Sequence, residues 1–257
     1  METIVSSQYE RLQKILWVVL GVLACLWLLA RWQRGVVSAS STLKELQQEP
    51  LQTPTQEEPF QFTYRKRTYD VKPVANYTLW GLVVSHNNIN SFFDSYHDKN
   101  SVDTKDLCVI WGANLKDNEF HKVSFRSGSW TCYFRYRHGV RFDKYKLSNN
   151  HLITNDPTVR RMIAKVRVGD QVKFEGMLVN YKDKRTKFRW RMSSKTRKDA
   201  GNRACEVVFV RKLEILKRGT PFWYFLGNAS FWLFVLTLLG KMAAFALESK
   251  FPRSHEE

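Results

Sequence analysis

The stretch DPTVRRMIAKVRVGDQVKFEG, residues 156–176, decides how the rest of the chain is read. Asp156 is a residue type that caps helices, and Pro157 suits a first helical turn. Val159, Met162, Ile163 and Val166 then recur at i, i+3, i+4 and i+7, with Arg160, Arg161 and Lys165 on other faces. That spacing predicts an amphipathic helix, and Gly169-Asp170 predicts its end. Val172 to Val179 follows as a strand. One short helix runs directly into a strand, and the segments around it carry strand signals.

Upstream, Tyr77 to Val84 (YTLWGLVV) is apolar on nearly both faces, and Leu107 to Trp111 (LCVIW) reads as a short buried strand. Trp130, Cys132, Phe134 and Tyr136 alternate with Thr131, Tyr133, Arg135 and Arg137, a half-buried strand. Downstream, Phe188, Trp190 and Met192 alternate with Lys187, Arg189 and Arg191, and a last strand starts at Cys205 and reaches Val210 or Ile215. Between them, Ser148-Asn149-Asn150-His151 reads as turn or capping chemistry that can also line a site. Three strands, a helix, then two or three strands is the order of a mainly β (α+β) fold. It predicts an OB-like five- or six-stranded barrel with one helix, and a small mixed α+β sandwich is the competing architecture. OB-folds bind ligands on their second and third strands and on the loops joining strands one–two and four–five.

Two apolar segments flank this domain. Residues 15–30 (ILWVVLGVLACLWLLA) carry no charge, and Lys14 and Arg31 bracket them. Trp17, Trp27 and Trp32 are residues that settle at the headgroup level and lengthen a span. Small residues at Val37-Ser38-Ala39-Ser40 suggest a cleavable signal as the rival, but Arg31 and Arg34 directly after the apolar run favour an anchor. The second segment opens at Pro221 with the aromatic cluster Phe222-Trp223-Tyr224-Phe225 and runs through LGNASFWLFVLTLLG, Lys241 and MAAFAL. Its rival is a buried helix of a soluble domain. The expected organisation is an N-terminal tail (1–14), a first transmembrane helix (15–34), a polar, proline-bearing linker (35–59), a basic OB-like β domain (60–218), a second transmembrane helix (219–247) and a C-terminal tail (248–257).

Two spans leave both termini on one side and the β domain on the other. Lys and Arg near the membrane number five on the terminal side and seven on the domain side, which taken alone favours a cytosolic domain. The rule weakens for long loops and the first span usually dominates, so an extracytoplasmic domain is expected. Cys25 falls within the first span. Cys108, Cys132 and Cys205 fall in the middle, where one pair can form a disulfide in an oxidising compartment, or all three can be buried small hydrophobes in a reducing one.

The chain has 41 Lys+Arg against 24 Asp+Glu, a net charge of +17, which predicts an anionic partner. Its 44% hydrophobic content excludes a disordered chain. The densest charge runs from Tyr181 to Arg203, with ten Lys/Arg against two Asp. Arg189, Arg191 and Arg197 there, with Tyr133, Arg135 and Arg137 on the strand before the helix, form the expected ligand-binding set. Cations neutralise phosphates and the tyrosine offers a stacking face. A solvated charged face, or one turned to anionic lipid, is the bland reading. The expected partners are therefore the lipid bilayer, a polyanion (nucleic acid, acidic glycan or anionic lipid) and an envelope protein complex.

Asp94, His97, Asp98, Asp103 and Asp106 fit no calcium-loop spacing and read first as salt-bridging carboxylates. No cofactor, metal or catalytic residue is assigned. There is no GxSxG, HExxH, Walker or GxGxxG motif. A hydrolase would need Cys108 or Cys205 as nucleophile and His97, His121 or His151 as base, a pairing that spacing does not mark.

Several motifs in order resemble a family of uncharacterised bacterial membrane-anchored proteins. They are Tyr77-Thr-Leu-Trp-Gly-Leu-Val-Val-Ser85, Tyr96-His-Asp98, Asp106-Leu-Cys-Val-Ile-Trp-Gly112, Ser129-Trp-Thr-Cys132, Ser148-Asn-Asn-His-Leu-Ile153, Gly169-Asp-Gln-Val172 and Gly201-Asn-Arg-Ala-Cys-Glu206. The resemblance covers residues 60–215 and brings no activity with it. It implies a bacterial source, a domain built as one unit and a disulfide between Cys108 and Cys132. Lys198-Asp-Ala-Gly-Asn-Arg203 is more basic than the family pattern. The reading that results is a binding or assembly module of the bacterial inner membrane with a periplasmic β domain. A cytosol-facing nucleic-acid or nucleotide-binding protein and a thiol-dependent hydrolase are the alternatives.

Overall fold

A computed structural model describes residues 2–89, 100–128, 131–185, 190–196, 198–199 and 205–250. The chain divides into a helical unit, made from its two ends, and a unit spanning Gly35–Gly219.

The helical unit contains α1 (Glu2–Gln33) and a C-terminal helix (Pro221–Lys250). Both are long and apolar enough to cross a membrane, over Arg11–Gln33 and Pro221–Ala246. Trp27 meets Phe231 at 6.2 Å between ring centroids, and Lys241 bonds the Gln13 side chain and lies 4.7 Å from the Trp17 ring centre. Arg34 donates to Asn228 Oδ1 at 3.0 Å and stands over the Tyr224 ring. Gly227 leaves room for that guanidinium, since a Cβ there would lie 2.3 Å from Arg34 Nη2. Several apolar side chains, among them Trp17, Phe225 and Phe245, face outward, as a lipid-facing helix requires.

The second unit is α+β, built on a mixed seven-stranded sheet. Its strands are β1 (Leu51–Thr53), β2 (Phe60–Tyr64), β3 (Arg67–Asn88), β4 (Asp103–Ile110), β7 (Leu147–Ile153), β8 (Gln171–Asp183) and β9 (Glu206–Lys217). A separate two-stranded hairpin pairs β5 (Ser124–Ser127) with β6 (Cys132–Arg135). The sheet runs β1-β3-β4-β7-β9-β8, with β2 also on β3, and β3 pairs a second time with β8. A path through β3, β4, β7, β9 and β8 therefore returns to β3. All these pairings are antiparallel except β7 with β9. Strand β3 serves two neighbours because it is long and bulged, at Pro73/Ala75 against β8 and at Val83/Ser85 against β4. Pro73 has no N–H to give a ladder, and a bulge is where a strand tolerates it. Gly176 sits at a register shift between β8 and β9, where a Cβ would lie 2.0 Å from the Phe209 carbonyl oxygen, so only glycine permits this approach.

Helix α2 (Pro157–Lys165) joins β7 to β8. The Asp156 side chain accepts from the Thr158 and Val159 amides, a cap worth ~1 kcal/mol. Val159 and Ile163, with Val166 just beyond, enter the largest core cluster. Leu79 and Val83 of β3, Leu107 and Val109 of β4, Leu152 of β7, Phe174 of β8 and Val208 and Val210 of β9 make up much of the rest. Each such side chain contributes roughly 1.5–3 kcal/mol by leaving water.

Three sequence expectations change. Residues 130–137 are not a strand of the main sheet. Their alternation is real, but it belongs to β6 of the hairpin, which a disulfide between Cys132 and Cys108 ties to β4. The strand before the helix is instead β7, whose polar segment Ser148-Asn149-Asn150-His151 is buried. Polar side chains hid it, because a period-2 apolar signal is absent. The stretch 35–59, read as a linker, is built into the domain from Gly35 on. Leu46 is fully buried, the Leu43 amide donates to Gln171 Oε1 at 2.7 Å, and β1 pairs with β3.

Candidate functional site

Alternation along β4 and β7 sorts their side chains. Leu107, Val109 and Leu152 join the main core, and Asn150, directly opposite Leu107, shares their face. Asp106, Cys108, Asn149 and His151 therefore share the other face, where Asp106 is opposite His151 and Cys108 opposite Asn149. Strand β9 begins beside Asn150, so Cys205, one residue before it, arrives at the same level.

These residues form a buried polar cluster. His151 Nδ1 donates to Asp106 Oδ1 at 2.7 Å, and both side chains are almost wholly out of solvent. Arg191 Nη2 lies 2.6 Å from His151 Nε2. An arginine can only donate, so this contact requires an unprotonated Nε2 and leaves the single proton on Nδ1, facing the carboxylate. Burial pushes the imidazole pKa down, but the charge and hydrogen bond of Asp106 outweigh it and raise it to about 10. Asp106 thus favours a second proton on the imidazole, and the guanidinium of Arg191, donating to Nε2, opposes it.

Asn149 Nδ2 lies 3.5 Å from the Cys205 sulfur and 3.4 Å from His151 Nε2, and the thiol lies 3.9 Å from Thr131 Oγ1. Burial pushes the thiol pKa up, while His151, Asn149 and Thr131 together bring it below the ordinary thiol range. Asn149 Oδ1 is buried with no hydrogen-bond partner among the described residues. On the core face of β4, Lys105 donates to the Ala164 and Val166 carbonyls at the end of α2, and burial lowers it to about 8.

A cleft of about 280 Å3 opens beside this cluster, lined by Thr131, Lys144, Tyr145, Asn149, Lys198 and Glu206 among others. Tyr145 is 45% exposed, and the ammonium groups of Lys144 and Lys198 stand 5.2 and 5.3 Å from its ring centre. Such cation–aromatic pairs mark a surface where charge and a flat apolar face occur together.

The residues expected to bind a ligand divide. Tyr133, 55% exposed, and Arg135 stand on the outer side of β6, with Arg126 over the Tyr133 ring, and Arg137 follows in an exposed turn. Arg191 is turned inward onto His151, while Trp190 is half-buried under Lys72 and Lys182, so the alternation expected there runs the opposite way. Arg189 and Arg197 lie outside the described residues, as do Asp94, His97 and Asp98. Asp103 accepts from the Tyr181 hydroxyl, and Asp106 serves His151. Among the described residues no group of three or more His, Cys, Asp or Glu is placed to hold a metal. Of the thiol–histidine pairs considered, Cys108 is in the disulfide and His121 is exposed, which leaves Cys205 with His151. The sequence puts Asn149 in a segment able to line a site and Asp106 among salt-bridging carboxylates, but it does not pair Asp106 with His151 or Asn149 with Cys205. Their one signal was four consecutive polar residues set between Leu147 and Leu152-Ile153 in a chain of strands.

No family model, no curated protein and no solved structure matches this chain. Its site is therefore interpreted from its own chemistry.

Proposed function

We propose that this chain is a membrane-anchored binding module of the bacterial cell envelope whose β domain takes an anionic partner. In this reading the five-strand circuit is an OB-like barrel, with β3, β4, β7, β8 and β9 as its five strands and α2 between the third and fourth. The parallel pair β7–β9 among antiparallel neighbours supports that assignment. The observation that carries the function is the cleft. It lies between the β5–β6 hairpin and the start of the third strand, β7, and takes Lys198 and Asp199 from the four–five connection, one of the loops OB-folds use for binding. Its rim pairs Tyr145 with Lys144 and Lys198, which suits a flat or charged polyanion. Tyr133, Arg135 and Arg137 are exposed and extend the basic surface, and Arg191 acts from beneath it.

The two helices long and apolar enough to span a bilayer support an inner-membrane location. The Cys108–Cys132 disulfide supports a periplasmic domain, because such bonds persist in oxidising compartments.

The test uses the full-length chain in detergent micelles, titrated with a labelled single-stranded oligonucleotide as a generic polyanion. Neutralising about four phosphates gives a slope of roughly −3 in log affinity against log salt. Lys144→Glu with Lys198→Glu should weaken binding ~10-fold or more at low salt. An affinity indifferent to salt, or unchanged in the double variant, defeats the proposal.

A further inference from the structure

Binding of an anion in the cleft does not explain why a thiol, an imidazole and a carboxylate stand beside it. Three strands supply them: Asp106 from β4, His151 from β7 and Cys205 at the start of β9. His151 stands between the other two, with its Nδ1 on Asp106 and its Nε2, like the Cys205 sulfur, within 3.5 Å of Asn149 Nδ2. Nucleophile, base and orienting acid in that order is the arrangement by which side chains attack carbonyl groups. A merely structural cysteine needs none of this. It packs among apolar side chains, and burial leaves it inert. Cys205 instead has Asn149, Thr131 and His151 around its sulfur.

A second observation points to a ligand. Asn149 is 96% buried and lines the cleft, yet its Oδ1 accepts nothing among the described residues. An acceptor left open at the base of a cleft suits an incoming N–H group. Asp199 and Glu206 also line the cleft, but Lys144 and Lys198 stand together at the Tyr145 ring, where they suit a negative charge on the same molecule.

We propose that Cys205 is the nucleophile of an acyl-transfer site, with His151 as base and Asp106 as its orienting partner, and that the substrate is an amide bearing a negative charge, such as an acidic peptide. Arg191 is the latch. While it donates to Nε2, the imidazole has no lone pair to offer the thiol proton, which is directed at Thr131 Oγ1. An anionic group in the cleft draws the guanidinium away and frees the lone pair. His151 then takes the proton, and the thiolate attacks the carbonyl carbon, forming a C–S bond. The C–N bond breaks, and the amine leaves with the proton held by His151. Water, deprotonated by His151, then attacks the thioester. The carboxylic acid departs, and the thiol regains its proton. No redox partner is needed.

The inference stands apart from polyanion binding, because its readout is covalent chemistry at one sulfur. The full-length chain in detergent is alkylated with iodoacetamide across pH, and Cys205 is followed by peptide mass spectrometry, which separates it from Cys25. The expected profile reaches its plateau below the ordinary thiol range. His151→Asn should slow labelling near neutrality ~100-fold, the scale of a positioned base, and Arg191→Gln should speed it. A carboxylate-bearing activated amide should leave one acyl group on Cys205 and none in Cys205→Ser, an isosteric change chosen to preserve folding. If Cys205 in the folded chain resists alkylation at every pH, or reacts alike in wild type and His151→Asn, or takes no acyl group, the proposal is wrong.

Discussion

His86 and His151 lie on neighbouring parts of the same sheet and titrate in opposite directions. His151 has a carboxylate beside it. His86, opposite Leu107 in the β3–β4 pairing, has burial and then the charge of Lys105, and is held at about 4. The unfolded chain takes a proton on this imidazole near pH 6.5, while the folded chain does so only near 4. Its contribution to stability is therefore complete above pH 6.5 and is lost as pH falls toward 4, by up to ~3 kcal/mol. His86→Gln should flatten the stability profile across that window. Denaturation midpoints of the full-length chain in detergent at pH 7.5, 6 and 5 measure it, and an equal pH slope in wild type and variant would show that His86 titrates normally.

At the scale of elements, the β5–β6 hairpin has no ladder to the main sheet, so the Cys108–Cys132 bond is its covalent tie to β4. The hairpin carries Tyr133 and Arg135 and brings Thr131 to the Cys205 sulfur. The bond closes a loop of sequence separation 24. Cys108→Ala with Cys132→Ala should cost about 3 kcal/mol, as expected for a loop of that size. Urea midpoints of the full-length chain, with reductant applied to wild type as the matching control, test it. A midpoint unmoved by both treatments would mean the hairpin docks without its tie. Helix α2 differs, since its own cap and apolar stripe account for its place.

For the whole molecule, two apolar helices and a large positive charge act together. The helices are long and apolar enough to cross a bilayer, and a charge of +17 favours anionic surroundings. If the domain is periplasmic, a C-terminal reporter active only in the cytosol should be active, and protease added to spheroplasts should digest the Gly35–Gly219 unit. An inactive reporter with a protected domain would reverse the orientation. The excess of basic residues at the domain-side flanks makes that reversal the outcome to exclude first.

How much of this was legible follows from which interactions are local. Helix α2 could be read because its cap, its proline and its i, i+3, i+4 stripe are all set within one short segment. The two long helices could be read because lipid imposes a length and an apolarity that any neighbour tolerates. Strand β7 could not, because Asn149 and His151 are buried by partners 45 to 56 residues away in sequence, Asp106 and Cys205. Polar residues look like a turn until those partners are in place. The inward direction of Arg191 was hidden for the same reason. Local periodicity shows which residues share a face of a strand, while only the pairing of distant strands decides which face is buried and whose lone pair a guanidinium meets. The sequence by itself determined the helices, the charge and the α+β order. The tertiary structure alone brought a thiol, an imidazole and a carboxylate together, because hydrogen-bonded register, unlike propensity, is a property of chain segments far apart.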